Sequence, residues 1–203
     1  MIIAMPAMER ADQIDALSDA MSRFADLVAD ADGDEPVLSC DGWTVQDLVL
    51  HLGSVHRMAA ATVLSGARGL TEPAPLVRGS LADWYAGCAG ALLSAVDAVD
   101  PDEPVPNFSR MRETAAFWTT RQLHETVVHA VDAGQALGGQ EAGGQEPWGV
   151  TPEVAAHGIE EVLGVWFPRM TARGERPDVR ARVRLDSIDR DESWIIGPGS
   201  DPA

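Results

Sequence analysis

Glu125 and His129 stand four residues apart in a stretch that reads as helix, so their side chains project from one face. Asp132 lies on the same stripe three residues further on, and Arg121 one turn before Glu125. Neutral imidazole and carboxylate are ordinary zinc ligands, and three protein ligands leave a fourth position open for chemistry. His51, between Leu48 and Leu52 on the apolar side of an earlier helix, is the candidate for the third ligand. Helical bundles commonly assemble metal sites in this way, from side chains on facing helices. Spacing alone leaves alternatives open. A Glu-x-x-x-His pair also occurs on plain solvated helix faces, and a histidine flanked by leucines is often a core residue satisfied by a carbonyl. Asp132 reads either as an acceptor that fixes a ligand imidazole or as a solvated carboxylate. Arg121 reads either as an attractor of an acidic substrate or as a solvated arginine.

The other histidines are poorer candidates. His56 points well away from His51 and reads as peripheral, and His124 sits about 100° round the helix from Glu125. His157 has only Glu160 and Glu161 near it in sequence. Cys40, close to a helix start, reads as structural, and Trp84, Trp118 and Trp166 read as core.

The elements that must position these groups are mostly helices. Apolar residues recur at helical spacing over 9–31, from Ala11 and Ile14 to Leu27 and Val28. A second helix starts at Thr44, where Asp47 completes a capping-box pattern and Trp43 can pack on Leu48, and it runs to about residue 65. A Gly/Pro loop over 66–78 precedes a third helix over 80–99, which the proline-rich segment at 101–106 ends. The fourth helix is predicted over 112–137, with an apolar face of Leu123, Val127 and Val131 about half a turn from Glu125. A fifth is predicted over 151–166. Alternating residues over 179–185 and a short apolar run at 193–196 predict a β-hairpin. A lone hairpin is marginal in water, so it is expected to pack on the helices or join a larger sheet. The fold class is therefore mainly α: a helical bundle over 1–138, a Gly/Gln/Glu linker over 139–150, and a C-terminal helix plus hairpin over 151–203.

Composition narrows the function. The net charge is -17, which repels a phosphate backbone, so nucleic acid is not an expected partner. No run approaches the roughly 18–20 apolar residues of a membrane span, and no secretion signal opens the chain. Two cysteines make no disulfide framework, and a cytoplasmic setting is expected. All 15 basic residues are arginine, a bias that suggests a high-GC genome.

The segment from Cys40 to Leu52 resembles the C-x-G-W-T-V-x-D-L-V-x-H-L opening of the mycothiol-dependent maleylpyruvate isomerase family, within the wider DinB-like group. The segment from Leu123 to Ala133 is similar to its second motif, H-E-x-x-V-H-x-x-D-A. The two motifs in this order are far more specific than either alone, and the resemblance extends over about 10–166. It implies a DinB-like four-helix bundle with a short C-terminal α/β appendage. It also implies zinc, or another divalent metal, on His51, Glu125 and His129, with mycothiol as cosubstrate for a small electrophile. Asp132 and Arg121 would then assist catalysis. Ala130 stands where members often carry arginine. The chain ends soon after the hairpin, where members continue into a larger α/β domain, so 151–203 is expected to be a shortened version of it. The expected chemistry is thiol transfer or thiol-assisted cis-trans isomerisation. The rival readings are a non-catalytic metal- or ligand-binding regulator or stress protein, and a zinc-dependent hydrolase.

Overall fold

The computed structural model describes residues 8–69, 80–109, 111–138, 149–175 and 180–197. Nearly all of the linker expected over 139–150 lies outside these residues, as do the loop at 66–78 beyond residue 69 and the first residue of the predicted first strand.

Helix α1 (Arg10–Val28) buries Leu17, Ala20, Met21, Phe24 and Val28, the i, i+3, i+4, i+7 stripe read from the sequence. Helix α2 (Val45–Ser65) begins with the expected capping box: the Thr44 hydroxyl accepts from the Asp47 amide, and Asp47 accepts from the Thr44 amide. It ends at Gly66, whose left-handed backbone closes the last turn. Helix α3 (Leu81–Ala98) is capped by Ser80 and buries Tyr85, Cys88, Leu92 and Val96. Helix α4 (Ala115–Ala136) starts three residues later than predicted. The preceding chain is held extended by a Pro104–Thr114 bridge and by Ala115 N–H donating to the Glu103 carbonyl.

Helix α1 packs on α3 and α4, and α2 packs on the same two, so α1 and α2 occupy diagonal corners of a four-helix bundle. Leu17, Phe24, Leu48, Leu52, Leu92 and Leu123 meet fully buried at its centre. Each such side chain contributes about 1.5–3 kcal/mol of hydrophobic stabilisation. Helices α2 and α3 pack tightly at Gly53, where a Cβ would lie 2.3 Å from the Trp84 ring. No described helix is long and apolar enough to cross a membrane.

Beyond the bundle, α5 (Pro152–Glu161) leads into a five-residue π turn, Val162–Trp166, and then α6 (Phe167–Ala172). The helical path thus outruns the predicted end at residue 166. The π turn lets it pass Pro168, which lacks an amide donor: Phe167 N–H reaches back to the Val162 carbonyl. Strands β1 (Val183–Asp186) and β2 (Ser193–Ile196) pair antiparallel, with Val183 opposite Ile196 and Asp186 opposite Ser193. The hairpin is present, but its strands do not bury a face. Val183, Leu185 and Ile195 stay exposed, and Arg190 in the turn ties it to Glu153 of α5.

Candidate metal centre

The site lies between adjacent corners of the bundle, with His51 on α2 and Glu125 and His129 on α4. Glu125 Oε1 is 3.3 Å from His51 Nε2 and 3.6 Å from His129 Nε2. The three donor atoms all lie within 4.8 Å of one another, a spacing at which they could share one cation. Two imidazole nitrogens and one carboxylate oxygen form a donor set that suits zinc and several other divalent ions. The rings of His51 and His129 meet edge to face with centroids 5.3 Å apart, so both nitrogens converge without the rings stacking.

The chain between α1 and α2 supports this geometry. Val37 N–H donates to the Trp43 carbonyl, and Cys40 and Trp43 close a turn inside that bond. The compact loop sets Trp43 against the His51 ring, with centroids 4.9 Å apart. It also brings the Ser39 hydroxyl to Asp132 Oδ1, a 2.6 Å hydrogen bond across the bundle. Asp132 Oδ2 in turn lies 2.9 Å from His129 Nδ1. An N–H on Nδ1 donating to that carboxylate leaves Nε2 as the nitrogen turned to His51 and Glu125, the one that can bind a metal once its proton is lost. Asp132 is buried in this role rather than solvated.

Electrostatics of the metal-free cluster follow from these contacts. Burial opposes the charge on Glu125, but hydrogen bonds from His129 and His51 and the charge of Arg121 outweigh it. The carboxyl is held well below the usual range. Burial likewise opposes charge on His129, yet its bonds to Asp132 and Glu125 raise its pKa to about 9. Asp132 is lowered by the same partnership and by Ser39, against its own burial. In the metal-free cluster the carboxylates are thus balanced by His129 and Arg121, and a cation has to displace the His129 proton.

Arg121 is not a solvated arginine. It is 5% exposed, and its guanidinium divides between Glu125 Oε2 at 2.5 Å and both oxygens of Glu161 at 2.5 and 2.6 Å. The ring of Trp166 covers it at 5.2 Å. This placement leaves Oε1 as the Glu125 oxygen turned to the histidines.

The remaining histidines stay outside the cluster. His56 is not peripheral: it is fully buried beside Tyr85, with Nε2 3.1 Å from the Thr126 hydroxyl. Desolvation lowers its pKa to about 3, so it is a neutral core residue. His124 and His157 pair with each other at 3.0 Å, and burial lowers the pKa of both. Of the apolar face predicted for α4, Leu123 is fully buried and Val127 and Val131 are half-buried, and the helix also buries the polar Thr119, Gln122, His124 and Thr126. Cys40 and Cys88 are free thiols, and burial pushes Cys88 up. Trp118 is core as expected, while Trp84 and Trp166 are half-buried.

Glu161 and Ser39 carried no sequence signal for their roles. Each lies far along the chain from its partner, and only the docking of a loop and of α5 on α4 joins them to it.

Residues 14–134 match the family model described as mycothiol maleylpyruvate isomerase N-terminal domain, a span that contains His51, Glu125, His129 and Asp132. No curated protein and no solved structure matches the chain.

Proposed function

The chain belongs to the mycothiol maleylpyruvate isomerase N-terminal domain family, its match covering more than half the sequence, and from that premise we propose that it is a cytoplasmic, metal-dependent enzyme using mycothiol. In this reading His51, Glu125 and His129 hold one divalent ion, with zinc the first choice. The substrate is a small electrophile. The observation that carries the reading is the convergence of three donor atoms within 4.8 Å, with the outer nitrogen of His129 already bonded to Asp132. The His51 side chain is 35% exposed, so one side of the cluster faces solvent and a small molecule can approach.

A divalent ion on these ligands favours the thiolate form of a thiol that joins it. The protein's own groups prepare for this. Two neutral imidazoles and one carboxylate leave net positive charge on a bound dication, which attracts an anionic sulfur. Asp132 holds His129 in the tautomer that frees Nε2, Trp43 limits rotation of His51, and Arg121 occupies the second oxygen of Glu125. The sulfur then forms a bond to an electrophilic carbon, and a proton completes the adduct. In an isomerisation the adduct rotates and expels the thiolate, restoring the double bond and consuming no thiol.

Metal analysis of purified protein, with a thiol-consumption assay on mycothiol and electrophilic acceptors, tests this reading. Wild-type protein is expected to hold about one equivalent of zinc, and His129→Ala to lose it together with activity. Metal retained by His129→Ala overturns the ligand assignment. Stoichiometric metal with no turnover of any thiol or ester favours a binding protein, and hydrolysis without thiol favours a hydrolase.

A further inference from the structure

The family match ends at residue 134, yet the most buried carboxylate around the cluster comes from beyond it. Glu161, the last residue of α5, is 6% exposed and places both oxygens on one guanidinium nitrogen of Arg121. The other terminal nitrogen of Arg121 holds Glu125 Oε2. Trp166 covers the guanidinium face at 5.2 Å.

The π turn makes this arrangement possible. Residues five apart point about 140° away from each other on an α-helix. In a π turn, whose bonds run from i to i+5, they come much closer together round the axis. Glu161 and Trp166 are five apart and bracket that turn, so both reach the same arginine. Gly158, one turn earlier, lets α5 lie close on α4: a Cβ there would meet the His124 ring at 3.2 Å.

The arrangement has an electrostatic consequence. An arginine paired only with Glu125 would draw on the charge that this carboxylate must offer a cation. It would also set a positive charge beside a dication. A second, buried carboxylate cancels the arginine's charge and fixes its fork geometry, leaving Glu125 negative and turned through a single oxygen. We propose that Glu161 is a positioning residue for the metal centre, acting through Arg121 to hold Glu125 as a one-oxygen ligand. The helical segment after residue 150 is thereby part of the metal site. This rests on the metal-binding reading above.

The test uses the full chain. Zinc affinity is measured by competition with a chromophoric chelator, and cobalt(II) reports ligand geometry through its visible bands. Glu161→Gln is expected to weaken both ions on the order of ten- to a hundredfold, the range for outer partners of metal ligands. The cobalt bands shift as the second oxygen of Glu125 becomes available. Glu161→Asp restores most of the affinity. In an Arg121→Met background, adding Glu161→Gln changes affinity less than about twofold, because the connection is already cut.

Wild-type affinity and bands in Glu161→Gln overturn the proposal, as does an undiminished loss in the Arg121→Met background. Should Glu161→Gln not fold, Arg121→Lys decides. It keeps the positive charge but loses the fork that Glu161 fixes and that holds Glu125 Oε2, so affinity several-fold below wild type is expected, and unchanged affinity overturns the proposal. A wild-type chain that binds neither ion overturns this inference and the functional reading together. Metal bound normally by wild type and by every Glu161 variant overturns the inference alone.

Discussion

Asp132→Asn isolates one contact of the metal centre, and its effect must depend on pH in a defined way. Asp132 accepts from His129 Nδ1 at 2.9 Å and from the Ser39 hydroxyl at 2.6 Å. Asparagine keeps the shape but replaces a charged acceptor with a neutral one. Charge-assisted hydrogen bonds contribute about 1.5–3 kcal/mol and neutral ones about 0.5–1.5, so His129 loses roughly 1–1.5 kcal/mol of support. That difference is about tenfold in metal affinity. A second effect opposes it. In the metal-free protein His129 has a pKa near 9, so its Nε2 carries a proton that the metal must displace. Near pH 7 this competition weakens apparent affinity by roughly a hundredfold, since each pKa unit is a factor of ten. Asp132 is the first of the partners that raise that pKa against burial, so Asp132→Asn lowers it and relieves part of the competition.

The variant should therefore bind zinc about tenfold more weakly near pH 9.5, where His129 is largely unprotonated in both proteins. The deficit should narrow or vanish near pH 7. Chelator competition across that range measures it, and calorimetry in buffers of different ionisation enthalpy counts protons released. Wild type should release about 0.7 proton more near pH 7.5 than near pH 9.5, and the variant's release should fall off at lower pH. A deficit of equal size at both ends of the range refutes the coupling of Asp132 to the His129 proton. No deficit near pH 9.5 refutes its role in orienting the ligand.

The same elevated pKa affects folding. A group whose pKa rises on folding stabilises fully below its unfolded value, near 6.5, and that stabilisation is lost as pH climbs through about 9. Metal-free protein should lose on the order of 3 kcal/mol across this window, seen as a falling Tm, while zinc-saturated protein should not; a flat metal-free profile contradicts the raised His129. Gly53→Ala should destabilise, because its Cβ would fall 2.3 Å from the Trp84 ring. Overpacking of about 1–3 kcal/mol outweighs the roughly 1 kcal/mol that alanine gains in helix propensity. Tm should drop by several degrees in a thermal melt, and a rise would mean that α2 and α3 can separate at no cost.

The helices were legible because their signals are local. The Thr44–Asp47 box, the stripe from Leu17 to Val28 and the Ser80 cap each depend on residues within a turn or two. Helix α4 was misjudged where locality failed: nothing in residues 112–114 shows that a bridge to Pro104 holds them extended. The same division runs through the site. Glu125 and His129 share a helix face and are readable as a pair, whereas His51 is joined to them only by the family resemblance of the two motifs taken together. The sequence offers Arg121 only as a substrate attractor or a solvated arginine because Glu161, the partner that buries it, is 40 residues away, just before a π turn that has no local sequence signature. His56 was read as peripheral because spacing fixes a direction from its own helix axis and says nothing of what stands there, which is Thr126 and Tyr85. A burial cost is set by what the rest of the chain brings near. A carboxylate as buried as Glu161 persists only with its cation in place. The α5 segment is therefore bound to the site energetically, even though the two are remote in sequence. Perturbing that segment should change what the metal site holds before it changes how the bundle folds.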